Sequence, residues 1–513
     1  MLRYFYGNDA DYRDCFEGLA ILDAGERYLS KLGQHPVMYL SLKEVRGRSW
    51  EDSYEKLLDG ATDMLQTHHY LLDWEGLTVP ERRLFEGIVD RSLPPVRVSG
   101  VLTILSHALH RYHGQKAVIL IDEYDAPIVA AYLGGYYAEA IDFLRDFLGG
   151  GFKDNVHLEK GVLTGIMRVA KESIFSGLNN LDSFTVLTQP LAPHFGFTVP
   201  EVEHMLQDFG MNGRELADVH RWYNGYDIAG EVLFNPWSII QFLDKPQQGF
   251  RSYWAETSTN NLLKQLFFGR GANIEDQLET LIRGESLRKV ISDSLIYPEL
   301  AHKEDAIWSL LLSAGYLKAR DPEKNDPEGL EISYALSIPN LEIKSVYYDK
   351  IRDWVQEVGS SDRVKQLLTA VREADSYEFE EALGHFSLQI FSYHDVKQPR
   401  PERFYHAFIL GLLVNLGGEY EVLSNRESGY GRYDIRLRPF DPSRTAIVME
   451  LKSPRVRRGE TVEDAVAAAL KQLRAKRYAT NLLGLGYQVA QWAIGVYGKD
   501  LLVEELDGAS NTG

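Results

Sequence analysis

The run Ala117 to Ile121 (AVILI) is apolar at every position. A strand with one wet face alternates apolar and polar residues, because successive side chains point to opposite faces. An unbroken apolar run of strand length therefore requires cover on both faces, as in a parallel sheet flanked by helices. The neighbouring segments keep that rhythm. Pro36 to Leu42 reads as a second buried strand. Ser49 to about Thr67 reads as a helix with Ser49 as N-cap, and Val101 to His113 as a helix closed by Gly114. A helix near Ala138 to Leu148 and a strand near Gly161 to Ile166 follow. The first part of the chain is expected to be a parallel α/β domain.

From about residue 199 the pattern turns helical, and Asn235-Pro236 opens a helix with Asn as cap and Pro in the first turn. In the middle section, IWSLLLSAGYLKAR reads as helix then strand. LEISYALSIP reads as a strand after the polar turn DPEKNDPEG, which gives a winged-helix-like piece. The last part reads as a helix from Glu402 to about Leu416, then strands at Tyr420 to Leu423, Tyr433 to Leu437 and Ala446 to Leu451. A helix from about Thr461 to Leu483 and two further strands complete an α+β order. We place the domains at 1–240, 241–370 and 371–513.

Charge bounds the partners. The chain has 55 Lys and Arg against 74 Asp and Glu, a net charge of −19. That counts against nonspecific coating of nucleic acid, where phosphate affinity comes from cations. A local basic strip is still available. Arg455, Arg457, Arg458, Lys471, Arg474, Lys476 and Arg477 fall in one stretch, which reads equally as a solvated basic helix and loop. Cys15 is the only cysteine, so no internal disulfide can form, which fits a reducing cytosol. No apolar run reaches transmembrane length and the opening MLRYFYGNDADYRD is too polar for a signal peptide, so we expect a cytoplasmic protein with no membrane partner. Oligomers remain open.

The C-terminal segment TAIVMELKSP places Glu450 and Lys452 on one face of a strand, with Met449 and Leu451 on the other. Upstream, GRYDIRL puts Asp434 in a neighbouring strand, and a hairpin through RPFDPSR would bring it beside Glu450. Two carboxylates and a backbone carbonyl form an oxygen ligand set suited to Mg²⁺ or Mn²⁺. Lys452 would steady a nucleophile or developing charge. The same pattern also suits a surface ion pair at a strand end. Glu342-Ile343-Lys344 and Asp395-Val396-Lys397 repeat the acid-x-Lys spacing, but neither follows an apolar run like Ala446 to Met449.

At the other end, AVILIDEYDAP reads as a Walker B strand, in which Asp122 would hold Mg²⁺ through water and Glu123 would orient an attacking water. A buried strand whose acids face solvent at its end reads the same way. His107, His110 and His113 recur every three residues with no Cys or acid at zinc spacing, and we read a polar helix face. Trp222, Tyr223 and Tyr226 read as core or interface aromatics, and His406 as a packed or solvated histidine.

The stretches PERFYHAFILGLL, EVLSNRESGYGRYDIRL, IVMELK and ALKQLRAKRYA resemble the nuclease half of a family of bacterial two-domain proteins. That family pairs an AAA-ATPase-like domain with a PD-(D/E)XK nuclease domain. LIDEYDAPI, GVLTGIMRVAKESIFSGLNNL, WYNGYDI, LFNPWSII and YWAETSTNN resemble successive blocks of its ATPase-like half. The resemblance implies Asp434, Glu450 and Lys452 as a core triad, Glu402 as an auxiliary metal ligand and Gln472 as a helix glutamine of the site. It implies DNA as substrate. It also implies a γ-phosphate sensor at Thr164, with Arg168 and Lys171 near phosphate. One part is missing: no G-x-x-x-x-G-K-[ST] occurs in the chain. Without those backbone amides and that lysine, tight ATP binding is not expected. A start placed too late, true loss, and a P-loop encoded upstream all stay open, as does a non-catalytic binding module that keeps both folds.

Overall fold

The computed structural model describes residues 1–166, 181–211, 213–254, 277–278, 280–282, 284–292, 297, 303–325, 331–358, 361–393, 402–413, 416, 419–424, 427–428, 431–432 and 434–506. The chain forms two compact units. One is Met1–Leu187 with Val290–Gly315, and the other is Thr188–Lys289 with Tyr316–Gly513. Among the described residues, no helix is long and apolar enough to cross a membrane.

The first unit is built on a parallel sheet of β1 (Val37–Ser41), β2 (Ala117–Asp122) and β3 (Leu158–Leu163), with β2 in the centre. Every residue from Ala117 to Ile121 is buried, as the apolar run requires. The helices are α1 (Trp50–Thr67), α2 (Val79–Val89), α3 (Val101–His113), α4 (Ala126–Gly134) and α5 (Tyr137–Phe152). The Ser49 side chain accepts from the Asp52 amide to cap α1. Gly114, at φ +67°, closes α3 in the left-handed region that favours glycine.

Two expectations change here. The third strand runs Leu158–Leu163, earlier than the expected Gly161 to Ile166. Its register ends level with β2 (Ile121 opposite Leu163), and the next residues are spent on loop contacts described below. The histidines of α3 are not a plain polar face. His113 Nε2 lies 2.7 Å from the Tyr70 hydroxyl, His110 Nδ1 lies 2.9 Å from His157 Nδ1, and His107 stacks on His157 at 4.3 Å.

The second unit opens with α6 (Val199–Asp208) and α7 (Gly213–Tyr223). A hairpin of β4 (Tyr226–Ile228) and β5 (Glu231–Leu233) then interrupts the helical stretch expected there. Its two-residue turn is Ala229-Gly230, both at positive φ, and the Asp227 side chain accepts from the Gly230 amide at 2.9 Å. Alanine rarely takes that conformation, so the turn carries no ordinary sequence mark. Asn235 caps α8 (Pro236–Asp244) by accepting from the Trp237 and Ser238 amides. A three-stranded sheet follows, in the order β6 (Leu287–Val290), β8 (Ile332–Ser337), β7 (Lys318–Lys324). β7 takes in Asp321-Pro322-Glu323, read above as turn. An irregularity between Arg320 and Glu323, with Asp321 at φ +50°, absorbs the proline.

Glu342 begins the next helix, α9 (Leu341–Val358), as a fully buried carboxylate. Ser238 Oγ donates to both its oxygens at 2.9 and 2.8 Å, and the Tyr253 and Trp254 amides donate to Oε1 at 2.9 Å each. Burial pushes the carboxyl up, against the pull of the Trp254 amide, Ser238 and the Tyr253 amide.

The C-terminal part has two helix layers on one five-stranded mixed sheet, in the order β15-β14-β13-β12-β9. The strands are β9 (Tyr420–Ser424), β12 (Ile435–Pro439), β13 (Ala446–Lys452), β14 (Val489–Tyr497) and β15 (Asp500–Glu505). A short ribbon, β10 (Glu427–Ser428) with β11 (Gly431–Arg432), lies between β9 and β12 in sequence. Tyr433, expected in a strand, is outside the described residues. One face of the sheet, including Ile435, Met449, Leu451 and Trp492, packs in a core with α10 (Ser361–Glu373), α11 (Ser376–Tyr393) and α12 (Glu402–Leu413). The other face, including Ala446, Val448 and Ala493, packs against α13 (Val462–Lys476) and α14 (Thr480–Gly484). The helix expected from Thr461 to Leu483 is therefore two helices. Arg477 takes φ +49° as a left-handed cap, which turns Tyr478 inward.

At the rim of this sheet, Glu419 accepts from Arg372 and Arg444, whose guanidiniums hold its carboxyl down at about 2. The group's folded pKa lies below its ordinary value of 4.5, so its stabilisation is present above pH 4.5 and is lost as pH falls from there towards 2. Glu419→Gln is expected to flatten the acid limb of a melting-temperature profile in that window. An unchanged acid limb would show that solvent screens the triad completely. Glu342→Ala is expected to cost roughly 3 kcal/mol in urea unfolding, because three interior donors lose this acceptor. A cost near zero would contradict the staple.

Candidate active site

β13 is buried along its length from Ala446 to Leu451 and emerges at Lys452. Its side chains alternate. Ile447, Met449 and Leu451 enter the core beneath the sheet, and Ala446 and Val448 enter the core under α13. Glu450 continues the second series, so a carboxylate is carried on the α13 side of the sheet with no exposed surface of its own. Lys452 shares that face, and its Nζ lies 2.8 Å from Glu450 Oε1.

The antiparallel register of β12 with β13 pairs Ile435 with Met449 and Leu437 with Ile447. Asp434 immediately precedes β12, next to the end of β13 that carries Glu450. Asp434 is half-buried at the mouth of β12, and its Oδ2 accepts from the Leu451 amide at 2.8 Å. From α12, the buried His406 places Nε2 3.1 Å from the Asp434 carbonyl oxygen. A carbonyl only accepts, so the proton of this bond sits on Nε2. His406, read above as merely packed or solvated, thus holds the backbone of Asp434.

The cover comes from α13. Gln472 Nε2 donates to the Tyr478 hydroxyl at 3.0 Å, and Tyr478 is buried just past the left-handed cap. Burial pushes the phenol up, the Gln472 bond opposes this, and the Glu450 and Asp434 charges raise it further while Lys452 lowers it. Tyr478 was not singled out from sequence, because only the break at Arg477 turns it inward. α13 can sit this close because Gly495 on β14 faces it. A Cβ there would meet the Val462 carbonyl oxygen and Val466 Cγ2, each at 2.7 Å.

Glu402 is the first residue of α12, and its side chain lies outside what the structure describes. Among the described residues, no group of three or more His, Cys, Asp or Glu side chains is gathered to hold a metal ion. The donors brought together are two carboxylates. That set fits Mg²⁺, which is commonly held by one or two carboxylates and keeps several waters.

In the first unit, Thr164 Oγ1 donates to Asp122 Oδ1, which also accepts from the Glu123 amide at 3.1 Å. Glu123 stands at φ +51°, a left-handed conformation that costs a non-glycine residue about 1–2 kcal/mol. It pairs with Arg46 Nη2 at 3.3 Å. The Ile166 amide donates to the buried Asp125 at 3.0 Å, fastening the loop after β3 to the loop after β2. Arg168 and Lys171 lie outside the described residues.

Residues 1–175 match the family model described as a predicted AAA-ATPase, and residues 400–506 match that of the PD-(D/E)XK nuclease superfamily. The chain carries an AAA-ATPase-like domain and a PD-(D/E)XK domain. A relative from Azotobacter chroococcum mcd 1, an "Uncharacterized protein in vnfD 5'region", is 31% identical over 237 residues. The match covers 46% of this chain and 43% of the relative, so the chain spans less than half of that protein. No solved structure matches. Within the PD-(D/E)XK domain, long-range ¹H–¹⁵N spectra should show the His406 Nε2 carrying a proton. A ring protonated on Nδ1 alone would contradict the assignment.

Proposed function

We propose that the PD-(D/E)XK domain is a metal-dependent nuclease acting on DNA, with the AAA-ATPase-like domain in a regulatory role. The observation that carries this reading is the gathering of three groups at one strand end: Lys452 Nζ lies 2.8 Å from Glu450 Oε1, and Asp434 accepts from the amide of Leu451 between them at 2.8 Å. Asp434 and Glu450 would hold Mg²⁺ or Mn²⁺, which when bound supplies Lewis acidity and an activated water. Glu402, at the start of α12, is proposed as a supporting ligand.

The chain's own residues do the rest. Hydrolysis joins a water oxygen to phosphorus and breaks the bond to the leaving 3′-oxygen. The Lys452 ammonium, fixed beside Glu450, donates hydrogen bonds to the charge that develops on the phosphoryl oxygens. The Leu451 amide and His406 hold the Asp434 carboxylate and backbone in place, so little reorganisation is needed. Gln472 and Tyr478 form the roof that limits water. In the first domain, Asp122, Glu123 and Thr164 form the counterpart of a nucleotide site. The 513 residues hold no P-loop motif, so we propose no ATP turnover by this chain.

The test is incubation of the purified chain with plasmid, linear and single-stranded DNA in Mg²⁺ or Mn²⁺, beside Glu450→Ala and Lys452→Ala. Cleavage by the unsubstituted chain, reduced about 100-fold or more in either variant, is expected. Identical behaviour of wild type and Glu450→Ala on every substrate would sink the nuclease reading and favour a non-catalytic binding module.

A further inference from the structure

We infer that the solvent side of α13, together with the turn that ends it, is the surface that grips the sugar–phosphate backbone of the DNA. This rests on the nuclease reading. α13 is divided in charge along its length. Glu463 and Asp464 lie in its first turn, and Lys471, Arg474, Lys476 and Arg477 occupy its second half and cap, all exposed. Among the described residues, none of these four cations forms an ion pair. Elsewhere in the same unit, Arg288, Arg320, Arg372, Arg438 and Arg444 are each held by a carboxylate. In a chain of net charge −19, a face of unneutralised cations is a local reversal of sign.

Shape agrees with this. Ala467, Lys471, Arg474 and Ala475 line, with Leu470, a shallow open groove of about 450 Å³. The alanines keep its floor low, so a polymer backbone can lie close to the helix. Lys471, Arg474 and Arg477 recur at three-residue steps. The same half of α13 carries Gln472, which donates to the Tyr478 hydroxyl at 3.0 Å. Cations near a helix C-terminus also favour the helix itself, and salt dependence separates the two roles.

The experiment uses the full chain in EDTA with a fluorescein-labelled 20-nucleotide single strand and a 20-base-pair duplex. Binding is followed by anisotropy from low to moderate salt, for wild type and for Lys471→Gln with Arg474→Gln. Both side chains are exposed and Gln is a good helix former, so the melting temperature should hold. The slope of log K against log salt is expected to become shallower by about 1.8 on duplex, or about 1.4 on single strands, depending on which is seated. In Mg²⁺ at saturating DNA the cleavage rate should stay within about twofold of wild type. If wild type binds and the double variant keeps the same slope on both DNAs, the grip lies elsewhere and the nuclease reading is untouched. If wild type neither binds nor cuts either DNA, both readings fall together.

Discussion

The C-terminal half depends on the pairing register of β12 with β13. Residue periodicity in a strand is two, so a slip of one position would send Asp434 and Glu450 to opposite faces. The register is held by apolar burial. Ile435, Leu437, Ile447, Met449 and Leu451 all point to the same core, and each is fully buried. A buried side chain of this size contributes about 1.5–3 kcal/mol relative to exposure. Together they outweigh the several kcal/mol that burying a carboxylate such as Glu450 costs. The Lys452 ammonium at 2.8 Å offsets part of that cost. The core thus fixes the geometry, and the polar residues occupy places the core has already set.

Cover of the site follows from the same sheet. Gly495 lets α13 approach β14, and the left-handed cap at Arg477 turns Tyr478 into the core on that side of the sheet. A side chain at position 495 would push out the first turn of α13 and with it the Gln472–Tyr478 roof. The roof, the acids and the lysine therefore share one mechanical origin, the close packing of a single helix on a single strand pair.

How much of this was legible in the sequence depended on whether the deciding contact was local. Ser49, Gly114 and Asn235 marked their helix ends because capping is settled within four residues. The apolar runs at Ala117 and Ala446 marked buried strands because burial is written in side-chain type. The site triad was legible as a pattern, since alternation puts Glu450 and Lys452 together and the hairpin brings Asp434 back. The Ala229-Gly230 turn, the extension of β7 through Pro322 and the break at Arg477 were not legible. Each relies on a left-handed non-glycine residue, a conformation that the residue type does not announce. His406 was hidden because its role is defined by Asp434 across the fold, and Tyr478 because only the cap at Arg477 turns it inward.

The two domains use one device in two forms. In each, an apolar strand buried on both faces delivers acids to the point where the strand leaves the core. β2 ends on Asp122 and puts Glu123 into a strained conformation, tied to Arg46, with the next loop fastened through Asp125 to the loop after β3. β13 keeps Glu450 inside the strand and sets its lysine partner two residues on. The first arrangement leaves its glutamate in a loop, where a change in the Arg46 pair can move it. The second fixes its carboxylate in the sheet, where only loss of the register would displace it. A switchable acid suits a regulatory site, and an immobile one suits a site whose chemistry needs its charges in place before the substrate arrives. That difference in mechanical freedom, more than the residue types, separates the two acidic strand ends.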